Sequence, residues 1–301
     1  MFSARRAAAA VALLALAAGL FGLYRAAERF SPPENRPPAE SEARVVIGTF
    51  NIENFNMTDP QSKTHYTRSD AAELARSILR SGADVLALQE IEGDATMRAF
   101  VSAFLPGWGF LSNDTRSYQD LYFLWNGKAV EPVDGSAAVY YPQSSFFREG
   151  AGKLFDRPPL KAVFRERSSR RTFTLVNVHL KSKFVFGARD RERAQQANTE
   201  KRRAQLEMLN ELGTRLAGHG PLFVLGDFND DLASDFGQVL TLPNGYSYDT
   251  RKSNLDHIVF SGIERSRLSE VKETETKIAR RSAKNRERPD HDIITVEVLL
   301  P

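Results

Sequence analysis

Isolated polar residues follow apolar stretches at several points of the 301-residue chain. The clearest case is Gly226-Asp227-Phe228-Asn229-Asp230, which comes directly after the apolar run 221–225. Asp227 and Asn229 are two residues apart, so on an extended chain both side chains point to one face, opposite Phe228. The same kind of ending recurs along the chain, at Asn51, Glu90, His179, Asp256 and the pair Asp290-His291.

Residues of these types suit the metal-assisted hydrolysis of a phosphoester. Carboxylate and amide oxygens bind hard divalent cations such as Mg²⁺. The reaction also needs a base for the attacking water and groups that donate hydrogen bonds to the phosphoryl oxygens. A strand followed by a turn, with Asp230 and Asp231 capping the next helix, would explain the 226–231 stretch alone. The recurrence of the pattern favours one shared site.

Apolar runs of strand length precede or contain these residues and predict strands that deliver them to one edge of the fold. The runs are 44–50, 84–88, 172–178, 221–225, 254–260 and 292–299. A helix is predicted with Ser69 as its N-cap and Gly82 just past its end, and a long charged helix over 190–216. Strands and helices do not alternate strictly, which predicts an α/β fold with two sheets.

The amino-terminal segment is typical of a membrane anchor or a signal. Arg5-Arg6 precede an apolar run over 7–24, which is just long enough to span a bilayer. We therefore predict that residues 1–30 are an uncleaved anchor, or a cleaved signal as the alternative. Residues 31–43 are proline-rich and predict a linker, which leaves 44–301 as the catalytic domain.

Composition excludes some classes of chemistry and selects no partner. The chain has no cysteine, so disulfides, thiolate metal sites and a cysteine nucleophile are absent. Its net charge of +3 is concentrated in residues 1–40, beyond which 36 basic and 35 acidic residues nearly balance. Only local basic patches can therefore indicate a polyanionic substrate.

The ordered set of motifs resembles the endonuclease/exonuclease/phosphatase superfamily, and within it the deoxyribonuclease I-like branch. The motifs lie in the family's order, at residues 49–52, 88–91, 177–180, 226–229, 255–258 and 290–291. The resemblance implies a four-layer α/β sandwich, with two facing mixed β-sheets flanked by helices. It also implies a site at the top of the two sheets.

The resemblance implies a role for each of these residues. Glu90 is the principal metal ligand, with Asn51 beside it and Asp290 binding or positioning the metal, which is Mg²⁺ with Mn²⁺ or Ca²⁺ as alternatives. Asp227 and Asn229 orient the attacking water and hold the phosphate. Asp256 orients His291, which faces the phosphoryl group.

Other residues match features of the deoxyribonuclease I-like branch alone. His179 is its second imidazole, with Asp120 as the acidic partner, and Arg157 contacts phosphate. The deoxyribonuclease I-like branch carries an arginine that inserts into the DNA minor groove, and this chain has Glu92 at that position. The resemblance therefore does not imply that this chain reads the minor groove with that arginine.

Basic residues near the motifs suit a nucleic acid, because contacts with backbone phosphates dominate its affinity. Lys181 follows His179, and the run 280–288, which includes Arg286 and Arg288, leads into Asp290. The basic run 189–203 has interleaved acids and is typical of a solvated helix face. We expect a monomeric, extracytoplasmic nuclease, membrane-anchored or secreted, that cleaves DNA or also RNA by direct water attack. The resemblance implies a 5′-phosphate product.

Two alternatives remain at this stage. A phospholipid or inositol-phosphate phosphoesterase of the same superfamily would suit membrane tethering. A binding module without catalysis would require the loss of a site residue, and every motif residue is present.

Overall fold

The computed structural model describes residues 43–301 except 63–64, 113–114, 116–118, 135–138, 141–153, 186, 233–237, 244, 249–251, 277 and 279–288. The chain divides into Met1–Ser41 and Glu42–Pro301, and every described residue belongs to the second unit. The predicted anchor, the predicted linker apart from Ala43, and Arg286 and Arg288 lie outside the described residues. No helix in the described ranges is long and apolar enough to cross a membrane.

Two sheets hold the strands of the described residues. The first contains β1 (Ala43–Phe55), β2 (Val85–Ile91), β3 (Trp108–Ser112), β4 (Asp120–Asn126), β12 (Lys272–Thr274) and β13 (Ile293–Leu300). The second contains β5 (Val130–Pro132), β6 (Val139–Tyr140), β7 (Leu160–Glu166), β8 (Thr172–His179), β9 (Leu222–Asp227), β10 (Gln238–Leu240) and β11 (Asp256–Ser261). The α-helices are α1 (Arg68–Ser81), α2 (Gly93–Phe104) and α3 (Arg191–Leu216).

Both sheets mix parallel and antiparallel pairs. The first has the order β12-β13-β1-β2-β4-β3, and the second has the order β10-β11-β9-β8-β7-β5, with β6 paired to β7. The pairs β1–β2 and β8–β9 are parallel, and the other strand pairs described are antiparallel. Because the carboxyl ends of parallel strands meet at one edge, β1, β2, β8 and β9 can each deliver a residue to a common site.

Three apolar clusters show that the fold has four layers. Side chains from the inner faces of both sheets, such as Ile47 and Phe223, form one cluster. Outer-face residues of the first sheet pack against α1 and α2, as Phe50 does. Outer-face residues of the second sheet, including Val178, pack against Leu209 and Leu212 of α3. The predicted four-layer sandwich is therefore confirmed.

The start of α1 differs from the sequence prediction. Thr67, not Ser69, is the N-cap: its hydroxyl accepts a hydrogen bond from the Asp70 N–H at 3.2 Å, and the Asp70 carboxylate accepts from the Thr67 N–H at 2.8 Å. This reciprocal capping box satisfies two amides that would otherwise lack partners. The helix ends at Ser81, and Gly82, with φ of 68°, is its C-cap, as predicted.

Candidate active site

The ends of three neighbouring strands in the second sheet bring together residues that are far apart in the chain. His179 at the end of β8 is in register with Asp227 at the end of β9, and Asp227 is in register with Asp256 at the start of β11. Gly226 permits the close approach of β8 and β9, because a Cβ atom there would lie 2.0 Å from the Val178 carbonyl oxygen. Its φ of 148° is also unfavourable for any other residue.

Site residues adopt a backbone conformation that residues other than glycine rarely adopt. Glu90, Asn54 and Asn229 have φ of 62°, 54° and 52°. Such left-handed positions cost on the order of 1–3 kcal/mol each and need support from their surroundings. The Asn54 N–H donates to Glu90 Oε2 at 3.1 Å, and the Asn229 N–H donates to Asp227 Oδ1 at 2.8 Å. The site's own carboxylates therefore help to hold these residues in place.

Asn51 joins the two sheets at the centre of the site. Its Nδ2 donates to Glu90 Oε1 at 3.2 Å and to Asp227 Oδ2 at 3.0 Å. Its Oδ1 accepts from the Glu53 N–H at 3.0 Å. Asn51 thus holds two carboxylates on facing sheets at a fixed separation without adding charge.

His291 forms a buried, charge-assisted hydrogen bond with Asp256. Its Nδ1 donates to Asp256 Oδ2 at 2.7 Å, and the ring of Tyr248 lies 4.8 Å from the imidazole, centroid to centroid. Burial alone would lower the pKa of His291, but the negative charges of Asp256, Asp227 and Asp290 together raise it to about 10. His291 is therefore a cation at neutral pH.

Asp227 is a carboxyl whose proton affinity suits a base. Burial, assisted by the negative charge of Asp256, raises the pKa of Asp227 to about 7, although the His291 charge and the bonds from Asn229 and Asn51 oppose the rise. A group that titrates near the working pH can accept a proton and later release it.

His179 is a neutral imidazole. Burial, followed by the positive charges of Arg157 and His291, holds the pKa of His179 well below its ordinary value. Its Nε2 lies 3.5 Å from Asp227 Oδ2 and 3.8 Å from Glu90 Oε1. Its Nδ1 has no hydrogen-bond partner among the described residues. Asp120, predicted as the partner of His179, accepts a hydrogen bond from the Thr115 hydroxyl.

The two predicted substrate-binding residues that the structure describes, Arg157 and Lys181, have protein partners of their own. Arg157 donates to the carbonyl oxygens of His179 and Leu180, at 3.2 and 2.7 Å, and to the side chain of Gln119. Lys181 Nζ lies 3.8 Å from Asp156 Oδ2. Arg157 thus holds the backbone beside His179 in place. Contacts of Arg157 and Lys181 with phosphate remain predictions.

Asn229 and Asp290 complete the predicted set within the described residues. Asn229 Nδ2 donates to the Leu180 carbonyl oxygen at 3.3 Å, and an amide nitrogen carries a second hydrogen that can meet a phosphate oxygen. Asp290 is half-buried, and its charge acts on His291. Asp230, expected to cap a helix, accepts from Lys183 Nζ at 2.6 Å and from Arg202 Nε at 2.7 Å.

A buried polar network beneath the site was not predicted from the sequence. Gln89 Nε2 donates to Asn177 Oδ1 at 2.8 Å and to Thr49 Oγ1 at 3.0 Å, which links the two sheets. Asn177 Nδ2 donates in turn to the carbonyl oxygens of Leu88 and Tyr122. Gln89 precedes Glu90 and Asn177 lies two residues before His179, so the network fixes the strands that carry them. In the sequence, the network is indicated by an amide side chain inside each of two strand motifs, Gln89 in 88–91 and Asn177 in 177–180.

The donor set fits an open divalent-cation site. Glu90 Oε1 and Oε2 accept one hydrogen bond each within the site, and each carboxylate oxygen has capacity for another partner. Within the described part of the chain, no three His, Asp or Glu side chains are grouped as a complete ion-binding set. One carboxylate suits Mg²⁺, which keeps several waters and uses substrate phosphates as ligands, and Asn51 could add only its Oδ1, because its Nδ2 donates to Glu90 and Asp227.

Comparison with known proteins places this arrangement in a family context. The family model described as "Endonuclease/Exonuclease/phosphatase family" matches residues 48–275. Comparison with curated protein sequences finds no match.

Solved structures share the fold at low sequence identity. A D. rerio TDP2 humanized by 14 mutations is 16% identical, with a TM-score of 0.59 over 85% of this chain and 98% of that chain. D. rerio TDP2 complexed with a single-strand DNA product is 16% identical, with a TM-score of 0.56 over 85% and 98%. The mannosyl-6-phosphatase of Bacteroides thetaiotaomicron is 17% identical, with a TM-score of 0.54 over 84% and 98%.

Proposed function

The chain belongs to the endonuclease/exonuclease/phosphatase family, and we propose that it is a divalent-metal-dependent phosphodiesterase. Its proposed substrate is DNA, which would make it a nuclease. Members of this family are phosphoric ester hydrolases. One observation carries the proposal: Asn51 bonds both Glu90 and Asp227, in a site that also holds the buried His291–Asp256 pair. The proposed metal ligand Glu90, the proposed base Asp227 and the His291–Asp256 pair thus lie close together, which supports the proposal.

The residues divide the work of hydrolysis between them. Asp227 accepts a proton from the attacking water, whose oxygen forms the new bond to phosphorus. The bond from phosphorus to the 3′ oxygen breaks, which leaves a 5′-phosphate and, after protonation, a 3′-hydroxyl. His291, held by Asp256, places positive charge beside the phosphoryl oxygens as negative charge develops there.

Glu90 and Asn51 would hold the metal, with Asp290 binding or positioning it. A bound Mg²⁺ would neutralise phosphoryl charge and act as a Lewis acid. The identity of the ion is part of the proposal, with Mn²⁺ or Ca²⁺ as the alternatives.

DNA is the proposed substrate, with RNA as a second polymer. D. rerio TDP2, whose fold this chain shares, binds a single-strand DNA product. Lys181 and Arg157 stand beside His179 and would contact flanking phosphates, as would Arg286 and Arg288, which lie outside the described residues. Such contacts would make the affinity fall steeply with salt.

A second candidate is the hydrolysis of a small phosphate monoester. It is favoured by the fold shared with the mannosyl-6-phosphatase. The same core machinery serves both reactions, because the attacked phosphorus and the displaced oxygen are alike. Phospholipids and inositol phosphates are a further alternative that rests on the apolar segment at 7–24.

A location outside the cytoplasm and attachment to a membrane are proposals from the sequence alone. The apolar run 7–24, which follows Arg5-Arg6, supports them. Fractionation of cells that produce the protein, with protease added to intact cells, would test both at once. Protection of the folded part from protease even in cells stripped of any outer membrane would contradict the location.

The experiment that tests the proposed function compares four substrates under one set of conditions. The protein is incubated with Mg²⁺ or Mn²⁺ and with plasmid DNA, single-stranded DNA, mannose 6-phosphate or phospholipid vesicles. Glu90→Gln keeps the size of the side chain and removes its charge, so we expect at least about a 100-fold loss of hydrolysis. Glu270→Gln, an exposed position, serves as the matched control.

Each possible result of the four-substrate experiment supports or contradicts one of the candidate functions. DNA cleavage above the Glu90→Gln level supports the nuclease. Hydrolysis of mannose 6-phosphate alone favours the second candidate, and turnover of lipid alone favours the further alternative. No hydrolysis of any substrate above the Glu90→Gln level contradicts the proposed function.

A further inference from the structure

Helix α3 buries two polar side chains where a packing helix would ordinarily bury apolar ones. Arg202 is 3% exposed and Gln205 is 1% exposed, on the same face as Leu209 and Leu212. Burial of an arginine is costly unless its charge and its donors are all paired. Two leucines already supply the apolar contact with the second sheet, so packing alone does not account for the buried cation.

Arg202 joins two loops that leave the site. Its Nε donates to Asp230 Oδ2 at 2.7 Å, and its Nη1 donates to the Lys181 carbonyl oxygen at 3.1 Å. Lys183 Nζ bonds the other oxygen of the Asp230 carboxylate at 2.6 Å. One guanidinium therefore ties the segment after β8 to the segment after β9.

Gln205, about one turn further along α3, bonds the backbone of the same residue, Lys181. Its Oε1 accepts from the Lys181 N–H at 2.8 Å, and its Nε2 donates to the Leu154 carbonyl oxygen at 2.9 Å. Both the N–H and the carbonyl of Lys181 are thus bonded to side chains of α3. A third segment, which leads to Arg157, is attached through Leu154.

The three attached segments carry residues of the site. Lys181 lies two residues after His179, and Asp230 directly follows Asn229. The segments are also bonded to each other, because Arg157 and Asn229 both donate to the Leu180 carbonyl oxygen. A shift of α3 side chains would therefore move His179 and Asn229 together.

We propose that Arg202 and Gln205 are positioning residues of the active site, which set the placement of His179 and Asn229 through the backbone of Lys181 and the carboxylate of Asp230. The inference rests on the proposed function, since it assigns a role within the same site. Neither side chain touches substrate. Their contribution is geometric, and a misplacement of about 1 Å can cost about 100-fold in rate.

Arg202→Met, which keeps the length and apolar stem of the side chain, is the first test. We expect kcat for DNA hydrolysis to fall about 10- to 100-fold, with KM changed by less than about threefold. Arg203→Met is the matched control, because Arg203 is the next residue on the same helix and is exposed. Its kcat should stay within about twofold of wild type.

Asp230→Asn provides a second variant if Arg202→Met fails to fold. It keeps the size of the side chain and removes the charge that pairs with Arg202 and Lys183, and we expect a smaller fall of kcat in the same direction. Amide hydrogen exchange gives a readout besides activity: the 181–183 segment should exchange faster in both variants while β1 exchanges as in wild type.

The outcomes separate this inference from the proposed function. If wild type cleaves DNA and Glu90→Gln does not, but Arg202→Met or Asp230→Asn keeps kcat within about twofold, the positioning role is wrong. A fall of kcat with unchanged exchange at 181–183 would also overturn it. A wild type that hydrolyses no phosphoester would contradict the proposed function, whatever the exchange data show.

Discussion

His291 and His179 lie in one site and are equally buried, at 5% and 4% exposure, yet they differ in protonation. The pKa of His291 is raised to about 10, and the pKa of His179 is lowered. Burial disfavours the charged form of both imidazoles, so burial cannot explain the difference. The neighbours do: Asp256 lies 2.7 Å from His291, whereas Arg157 places a positive charge near His179.

The contrast shows how one residue type can fill two roles at neutral pH. A permanently charged imidazole suits the phosphoryl group, where negative charge increases during hydrolysis. A neutral imidazole can accept or donate a hydrogen bond without competing with the metal for the Glu90 carboxylate. Three measurements test whether the neighbours of the two histidines set their charge.

The largest effect is expected from Asp256→Asn. The substitution keeps the shape of the side chain and removes the carboxylate that holds the charge on His291. We expect kcat to fall about 10²- to 10⁴-fold, measured under saturating DNA. His291→Gln should cost about as much, and the double variant little more, because the two residues act as a unit.

Asp231→Asn, at an exposed position in the loop after β9, is the control for this test. If Asp256→Asn kept wild-type activity while His291→Gln lost it, the carboxylate would have no part in the charge on His291.

An intermediate effect is expected in the pH dependence of stability. Because the folded pKa of His291 is raised, its contribution to stability is complete below the unfolded pKa of about 6.5 and is lost as the pH rises through about 10. Between these values the folded state binds one more proton than the unfolded state. The free energy of unfolding should fall by up to about 1.4 kcal/mol per pH unit, measured by urea denaturation.

His291→Gln gives the comparison for this slope, since it keeps a polar side chain that does not titrate. The fall of stability between pH 7 and pH 10 should be shallower in that variant. Equal slopes in the two proteins would mean that His291 is neutral in the folded state.

The smallest effect is expected from Arg157→Met, which removes a positive charge near His179. The pKa of His179 should move upward, while burial continues to hold it below its ordinary value. Histidine ring signals followed by NMR over a pH titration would measure the change. Arg165→Met, at the far end of the second sheet, should leave the His179 signal unchanged.

Local patterns were sufficient for much of the fold. Apolar runs predicted β8, β9, β11 and β13, because strands bury alternate or all side chains over short stretches. Gly82 correctly predicted the end of α1. The N-cap was wrong, since Ser69 and Thr67 are both good caps, and the choice depends on which one has an acid three residues later. Asp70 gives that advantage to Thr67.

The sequence predicted which residues would come together in the candidate site better than it predicted the hydrogen bonds between them. Strand-end position and family resemblance indicated Asn51, Glu90, Asp227 and Asp256, and the fold gathers their side chains. The pair of His291 with Asp256 was expected and is present at 2.7 Å. The partners of Asp230 were not expected, because Arg202 lies 28 residues away on a helix whose buried face combines polar and apolar residues.

Local apolar runs in the sequence predicted strands and an α/β fold with two sheets, and the ordered motifs gave the family resemblance that implied the four layers and the residues of the site. The protonation states of His179 and His291, and the hydrogen bonds that hold the backbone of the site, could be determined only from the folded structure. The Gln89–Asn177 bond spans 88 residues and the His291–Asp256 bond spans 35. The charge of a buried imidazole depends on which groups the fold places within a few ångströms of it, and the local sequence does not specify that distance.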